Sequence, residues 1–228
     1  PLFGQQAALE EFGRWLEAEQ AALTAQIDGR LARFTAVPQK AGLRCVPYAG
    51  SYDAGFSPDV GSGAIYLNLP VFPCRESFLD ALVHESYHAR AVSGKPARRF
   101  AAIAADPAPV VQLLYYTAEE GIANFVGCGG CADPGHSAIP LRPAREGAEE
   151  LSRLLSRCSA GEISGREALD AFLQTDCCYT AGGYLAQAVW EHAGRGGLDL
   201  WSARADLHAY YRAFLRTPQG KGWPEIAG

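Results

Sequence analysis

Apolar residues recur at helical spacing near the start of the chain, at Leu9, Phe12, Leu16, Leu23, Ile27, Leu31 and Phe34. This pattern predicts one long amphipathic helix over 5–36, about nine turns. Gly13 and Gly29 weaken it locally, and Pro38 and Gly42 end it. The period then changes. "LRCVPY" (43–48) and "AIYLNL" (64–69) read as strands, separated by a Gly/Ser/Asp/Pro-rich loop at 49–63. After Pro70 and Pro73 the helical spacing returns over 76–93, where Phe78, Leu79, Leu82 and Val83 form a buried side. Further helices are predicted at 97–105, at 108–126 with Gly127 as C-cap, and at 144–158, 165–175, 180–193 and 199–216. Ser164 and Glu167 form a capping-box pattern, and 128–142 reads as a loop. The expected fold is mainly α with a small β-sheet (α+β), the sheet lying just before the helix at 76–93. A single domain is expected, made of an N-terminal helix (1–42), a sheet-and-helix middle (43–142) and a C-terminal helical part (143–228).

Composition narrows the function classes. The chain has 228 residues, 48% of them apolar and 20% charged, which suits a folded domain. A net charge of −5 gives no general attraction to nucleic acid or to an anionic membrane. No apolar run is long enough to predict a membrane span. The sequence opens "PLFGQQ", contains no Met and has seven Cys. These features predict a secreted or periplasmic protein, its leader removed and most of its cysteines in disulfides. The connectivity stays open. "CGGC" (128–131) has a zinc-ribbon or redox spacing, but no second such pair and no βαβ context accompany it.

The chemistry concentrates in "LVHESYHARAV" (82–92). On a helix, His84 and His88 project from one face and can meet a single ion. Glu85 lies about 100° around the helix, beside that ion, where it can take a proton from a bound water. Catalytic zinc takes three protein ligands and keeps one position open. The metzincin extension is excluded, because Ala91 and Gly94 stand where its glycine and third histidine belong. A glutamate on the next helix is the other solution. "YYTAEEGIANFVG" (115–127) carries Glu119 and Glu120 on an otherwise apolar helix, where buried carboxylates need a partner or a metal. Adjacent helical positions diverge by about 100°, so only one of them reaches the ion.

At these residues the chain resembles the gluzincins, the thermolysin-like and M1 aminopeptidase-like zinc peptidases. Their third-ligand helices read N-E-x-x-x-D and N-E-x-F-A. "EEGIAN" aligns Glu120 with the zinc-binding glutamate, while Ile122 and Ala123 fall at the Phe and Ala of the second group. Asn124 falls at the acid that orients a zinc histidine through its second nitrogen. Glu119 replaces the usual asparagine and is expected to be dispensable for the metal. The resemblance runs from the strand at 64 to Gly127, and its nearest likeness is to compact bacterial zinc-dependent peptidases without defined substrates. It implies a zincin-like fold whose active-site helix follows an edge strand, here "AIYLNL", that pairs with extended substrate. It also implies one Zn2+ per chain held by His84, His88 and Glu120. The activity implied is hydrolysis of a peptide or protein substrate by a zinc-activated water, with Glu85 as general base. Gluzincins draw an oxyanion donor from the C-terminal half; of Tyr179, Tyr184, His192 and His208, we expect Tyr184 and His208. The aminopeptidase G-x-M-x-N signature is only echoed by "GAIYLN", with Asn68 one place late. Two alternatives stand beside this reading. One is a non-catalytic zinc-containing binding or inhibitory module, against which the retained Glu85 argues. The other is a redox or metal-handling protein centred on "CGGC".

Overall fold

The computed structural model describes residues 6–36, 44–50, 54–56, 64–94, 101–103, 105–106, 108–133 and 141–226. The stops expected at Pro38 and Gly42 and most of the helix expected at 97–105 lie outside the described residues. The structure is mainly helical with a small three-stranded mixed sheet.

The N-terminal helix is two helices, α1 (Gln6–Ala18) and α2 (Gln20–Phe34). The interruption is at Glu19, not at either glycine, and the backbone bonds Glu19 N to Trp15 O and Leu23 N to Glu19 O continue across it. Leu23, Ile27, Leu31 and Phe34 bury one face of α2. Phe12 and Trp15 of α1 set their rings edge-on against Phe78, at 5.0 and 6.0 Å.

The sheet corrects one expectation. Its strands are β1 (Arg44–Tyr48), β2 (Gly55–Phe56) and β3 (Ala64–Asn68), in the order β1-β3-β2. β3 runs parallel to β1 and antiparallel to β2, so "AIYLN" is the central strand and not an edge. Ile65 and Leu67 are accordingly buried at 1% and 0% exposure. Among the described residues the outer strands are β1 and β2, and β2 falls in the stretch read as a loop. Two residues cannot show an alternating pattern.

Beyond the sheet come α3 (Arg75–Gly94), α4 (Pro109–Gly127), α5 (Ala144–Ser159), α6 (Gly165–Leu173), α7 (Cys177–Ser202) and α8 (Leu207–Leu215). The capping box at α6 forms as read, with Glu167 N donating to Ser164 Oγ and Ser164 N to Glu167 Oε2. α7 continues past the expected end at 193 but is broken at Gly194 (φ 60°, ψ −154°). The helix expected over 199–216 divides at 203–206, where Asp206 caps α8 through Ala209 N at 3.0 Å. Gly127 is the last residue of α4 and not its cap, which is Cys128. Its lack of a side chain serves packing, since a Cβ there would lie 2.7 Å from Asp80 O and 3.3 Å from His84 Cβ.

Two devices hold the helices in register. Gly121 of α4 meets Gly182 of α7 so closely that a Cβ on Gly121 would stand 2.2 Å from the Gly182 backbone. Arginines clamp α2 to its neighbours: Arg30 pairs with Asp80 at 2.6 Å and donates to Gly127 O, and Arg90 pairs with Asp28 at 2.6 Å. Among the described residues, no helix is long and apolar enough to cross a membrane.

The seven cysteines depart from expectation, since all are free thiols. Cys128 Sγ is directed to Asn124 Oδ1 and Cys131 Sγ to Asp133 O. Burial pushes the Cys128 thiol up to about 12, with Asp80 and Cys131 adding to the effect.

The glycine crossing gives the first prediction. Gly121→Ala forces α4 and α7 apart and should cost at least about 1–3 kcal/mol, the usual cost of overpacking a core. Urea unfolding of the metal-free protein measures it. An unchanged midpoint would show that the two helices can separate freely.

Candidate metal centre

α3 and α4 run antiparallel: the C-terminal Gly127 of α4 abuts Asp80 and His84, and Glu120, two turns earlier, reaches His84 and His88. One turn of α3 separates the two histidines, whose ring centroids are 4.8 Å apart. The Nε2 atoms of His84 and His88 lie 3.1 Å apart, and Glu120 Oε2 stands 3.3 Å from the first and 3.4 Å from the second. These three donors form a group that could hold a metal ion. The triangle fits zinc: tetrahedral ligands at zinc's bond length of about 2.0–2.1 Å stand about 3.3–3.4 Å from one another. All three side chains are partly buried, at 15–24% exposure, so solvent reaches one side.

His88 is held from both ends. Its Nδ1 lies 3.3 Å from Glu119 Oε1, and the other oxygen of Glu119 accepts the indole N–H of Trp201 at 2.7 Å. Glu119 and Glu120 thus serve different nitrogens of one imidazole, as the divergence of adjacent helical positions requires. Asn124 does not take the orienting place expected of it. Its amide points to Tyr179 O at 3.5 Å and its oxygen faces Cys128, because it lies one turn further along α4, towards the first turn of α7. Glu119 occupies the position against His88. The paired acids on an apolar helix were the signal available for it; Trp201 left none.

Burial alone would keep His88 neutral, but Glu120 beside it and its hydrogen bonds to Glu119 and Glu120 hold it protonated well above the usual imidazole range. Burial would likewise raise Glu120, yet His88 and then His84 pull it well below the usual carboxylate range. Without metal, the cluster is therefore a carboxylate–imidazolium group.

A cleft of about 370 Å³ adjoins the cluster at His84, while His88 and Glu120 do not line it. His84, Glu85, Gly55, Tyr179, Asp80 and Asp176 are among the residues that line it. Gly55 brings the β2 backbone over Glu85: a Cβ there would lie 3.6 Å from Glu85 Cγ and would collide with Leu67 and Tyr66 O. Of the C-terminal candidates, Tyr179 is the one that reaches this cleft, its ring 6.0 Å from that of His84. Tyr184 does not. Five residues along α7 it is turned about 140° away, and it lines a separate depression with Arg145, Ser152 and Trp223. His208 lies on α8, whose buried side is Leu207, Tyr210, Tyr211 and Phe214, and it does not line the cleft. His192 is exposed on α7.

No protein-family model matches the chain, and no curated protein and no solved structure does either. The protonation state of the cluster yields a second prediction. A raised His88 value means that its stabilising contribution is complete below its unfolded value near 6.5 and is lost as pH rises through the folded one. The lowered Glu120 value acts in the opposite sense, its contribution being present above about 4.5 and lost on acidification through the folded value. A metal must displace the His88 proton. Zinc uptake at neutral pH should release about one proton per ion and strengthen with pH by up to about tenfold per unit. Calorimetric titration in buffers of different ionisation enthalpy counts that proton. Uptake with no release would contradict the assigned state.

Proposed function

We propose that the chain is a zinc-dependent metallopeptidase with a zincin-like active site. The observation that carries this reading is the triangle of His84 Nε2, His88 Nε2 and Glu120 Oε2, spaced as three corners of a zinc tetrahedron, beside a cleft that His84 and Glu85 both line. When bound, zinc supplies a Lewis acid that brings the pKa of water to about 7 and polarises a carbonyl. The remaining work falls to the chain.

Glu85 follows His84 directly and is turned about 100° from it, so its carboxylate accepts the proton lost by the attacking water and returns it to the leaving amine. The short edge strand β2 offers backbone groups to an extended peptide beside the cleft, and Gly55 keeps that backbone close to Glu85. Tyr179, opposite on α7, presents its ring to the cleft from the His84 side and is the group suited to donate to the oxyanion. The substrate is a peptide or a protein segment in extended form.

Glu85→Gln keeps shape and reach but cannot take a proton. It should retain zinc and fold while peptide turnover falls at least about 10²–10⁴-fold, read by mass spectrometry of a mixed peptide library. Equal cleavage by the variant would remove Glu85 from the mechanism. No cleavage by the zinc-loaded wild type would favour the non-catalytic binding module.

A further inference from the structure

We infer that Trp201 and Glu119 are positioning residues for the metal: the Trp201 indole fixes the Glu119 carboxylate, which fixes the tautomer and tilt of His88. This inference rests on the metal-site reading above. Glu119 is 5% exposed and Trp201 fully buried. Each carboxylate oxygen has its own donor, Oε2 the indole N–H at 2.7 Å and Oε1 the imidazole Nδ1 at 3.3 Å. A carboxylate held at both oxygens cannot rotate. To donate to Oε1 the ring must keep its proton on Nδ1, so the proton that a metal would displace is the one on Nε2, the nitrogen directed at His84 and Glu120, where an ion would sit.

The indole is itself anchored at a distance from the cleft. Trp201 belongs to the last turn of α7, beyond the break at Gly194. Two residues before it, Asp199 accepts Ala36 N at 2.7 Å and Ser202 Oγ at 3.0 Å, tying that turn to the end of α2. The Tyr115 ring stands edge-on against the indole at 5.8 Å. The end of α7 is thereby fixed relative to α2 and α4, and the N–H arrives at Glu119 from an element that carries no ligand.

Packing alone and positioning predict different outcomes for Trp201→Phe, which keeps an aromatic ring and removes the N–H. Positioning predicts a loss of zinc affinity of about 10–100-fold, the usual effect of removing a partner of a metal-bound histidine. Glu119→Gln should fall in the same range, because an amide offers one acceptor oxygen where the carboxylate offers two. Both should shift the visible spectrum of the cobalt-substituted protein. Affinity is read on the full chain by competition with a chromophoric chelator, with thermal unfolding of the metal-free forms alongside. Wild-type zinc affinity and an unshifted cobalt spectrum in Trp201→Phe would overturn the inference, whatever its unfolding midpoint. If that variant fails to fold, Glu119→Gln decides by the same two readouts. A wild type that binds no zinc would sink the metal-site reading itself, and is told apart because the wild type is measured first.

Discussion

Two carboxylates are carried side by side into the interior on α4, and each must be matched. A buried ionised group without partners costs several kcal/mol. Glu120 meets two imidazoles at 3.3 and 3.4 Å, while Glu119 meets one imidazole and one indole at 3.3 and 2.7 Å. His88 stands between the two acids and is engaged on both nitrogens. This arrangement constrains α3 to lie antiparallel to α4 and places the end of α7 beside them both.

The scaffold meets those constraints with small residues and arginines. Gly121 against Gly182 lets α4 and α7 approach to backbone contact, bringing Tyr179 to one side of the cluster and Trp201 to the other. Gly127 lets the end of α4 rest on α3 at Asp80, and Arg30 from α2 bonds both partners of that contact. The bulk of the helical core therefore has a direct consequence for three donor atoms: it sets them 3.1–3.4 Å from one another.

What was legible in the sequence followed from periodicity within one element. His84, Glu85 and His88 are placed by helical geometry alone; the divergence of neighbouring positions says that only one of Glu119 and Glu120 reaches the ion, and the resemblance of "EEGIAN" to the third-ligand helix selects Glu120. The helical order and the α6 capping box were readable for the same reason. Features that depend on pairing between elements were not. β2 is two residues long and too short for a pattern, so the edge strand was assigned to "AIYLN", which lies at the centre of the sheet. Tyr179 and Tyr184 are equivalent in composition and separate only once the rotation of α7 against α4 is known. Trp201 reaches Glu119 across 82 residues of sequence. The cysteine expectation came from compartment and count, and free thiols directed to polar neighbours do not meet it.

The most direct measurement of the central claim is X-ray absorption at the zinc edge on the full chain loaded with one equivalent of the metal. The account predicts a first shell of nitrogen and oxygen only, at about 2.0–2.1 Å, with the multiple scattering of two imidazoles. Sulfur at about 2.3 Å would contradict it, placing the ion at the cysteines and leaving His84, His88 and Glu120 as a structural ion-pair group.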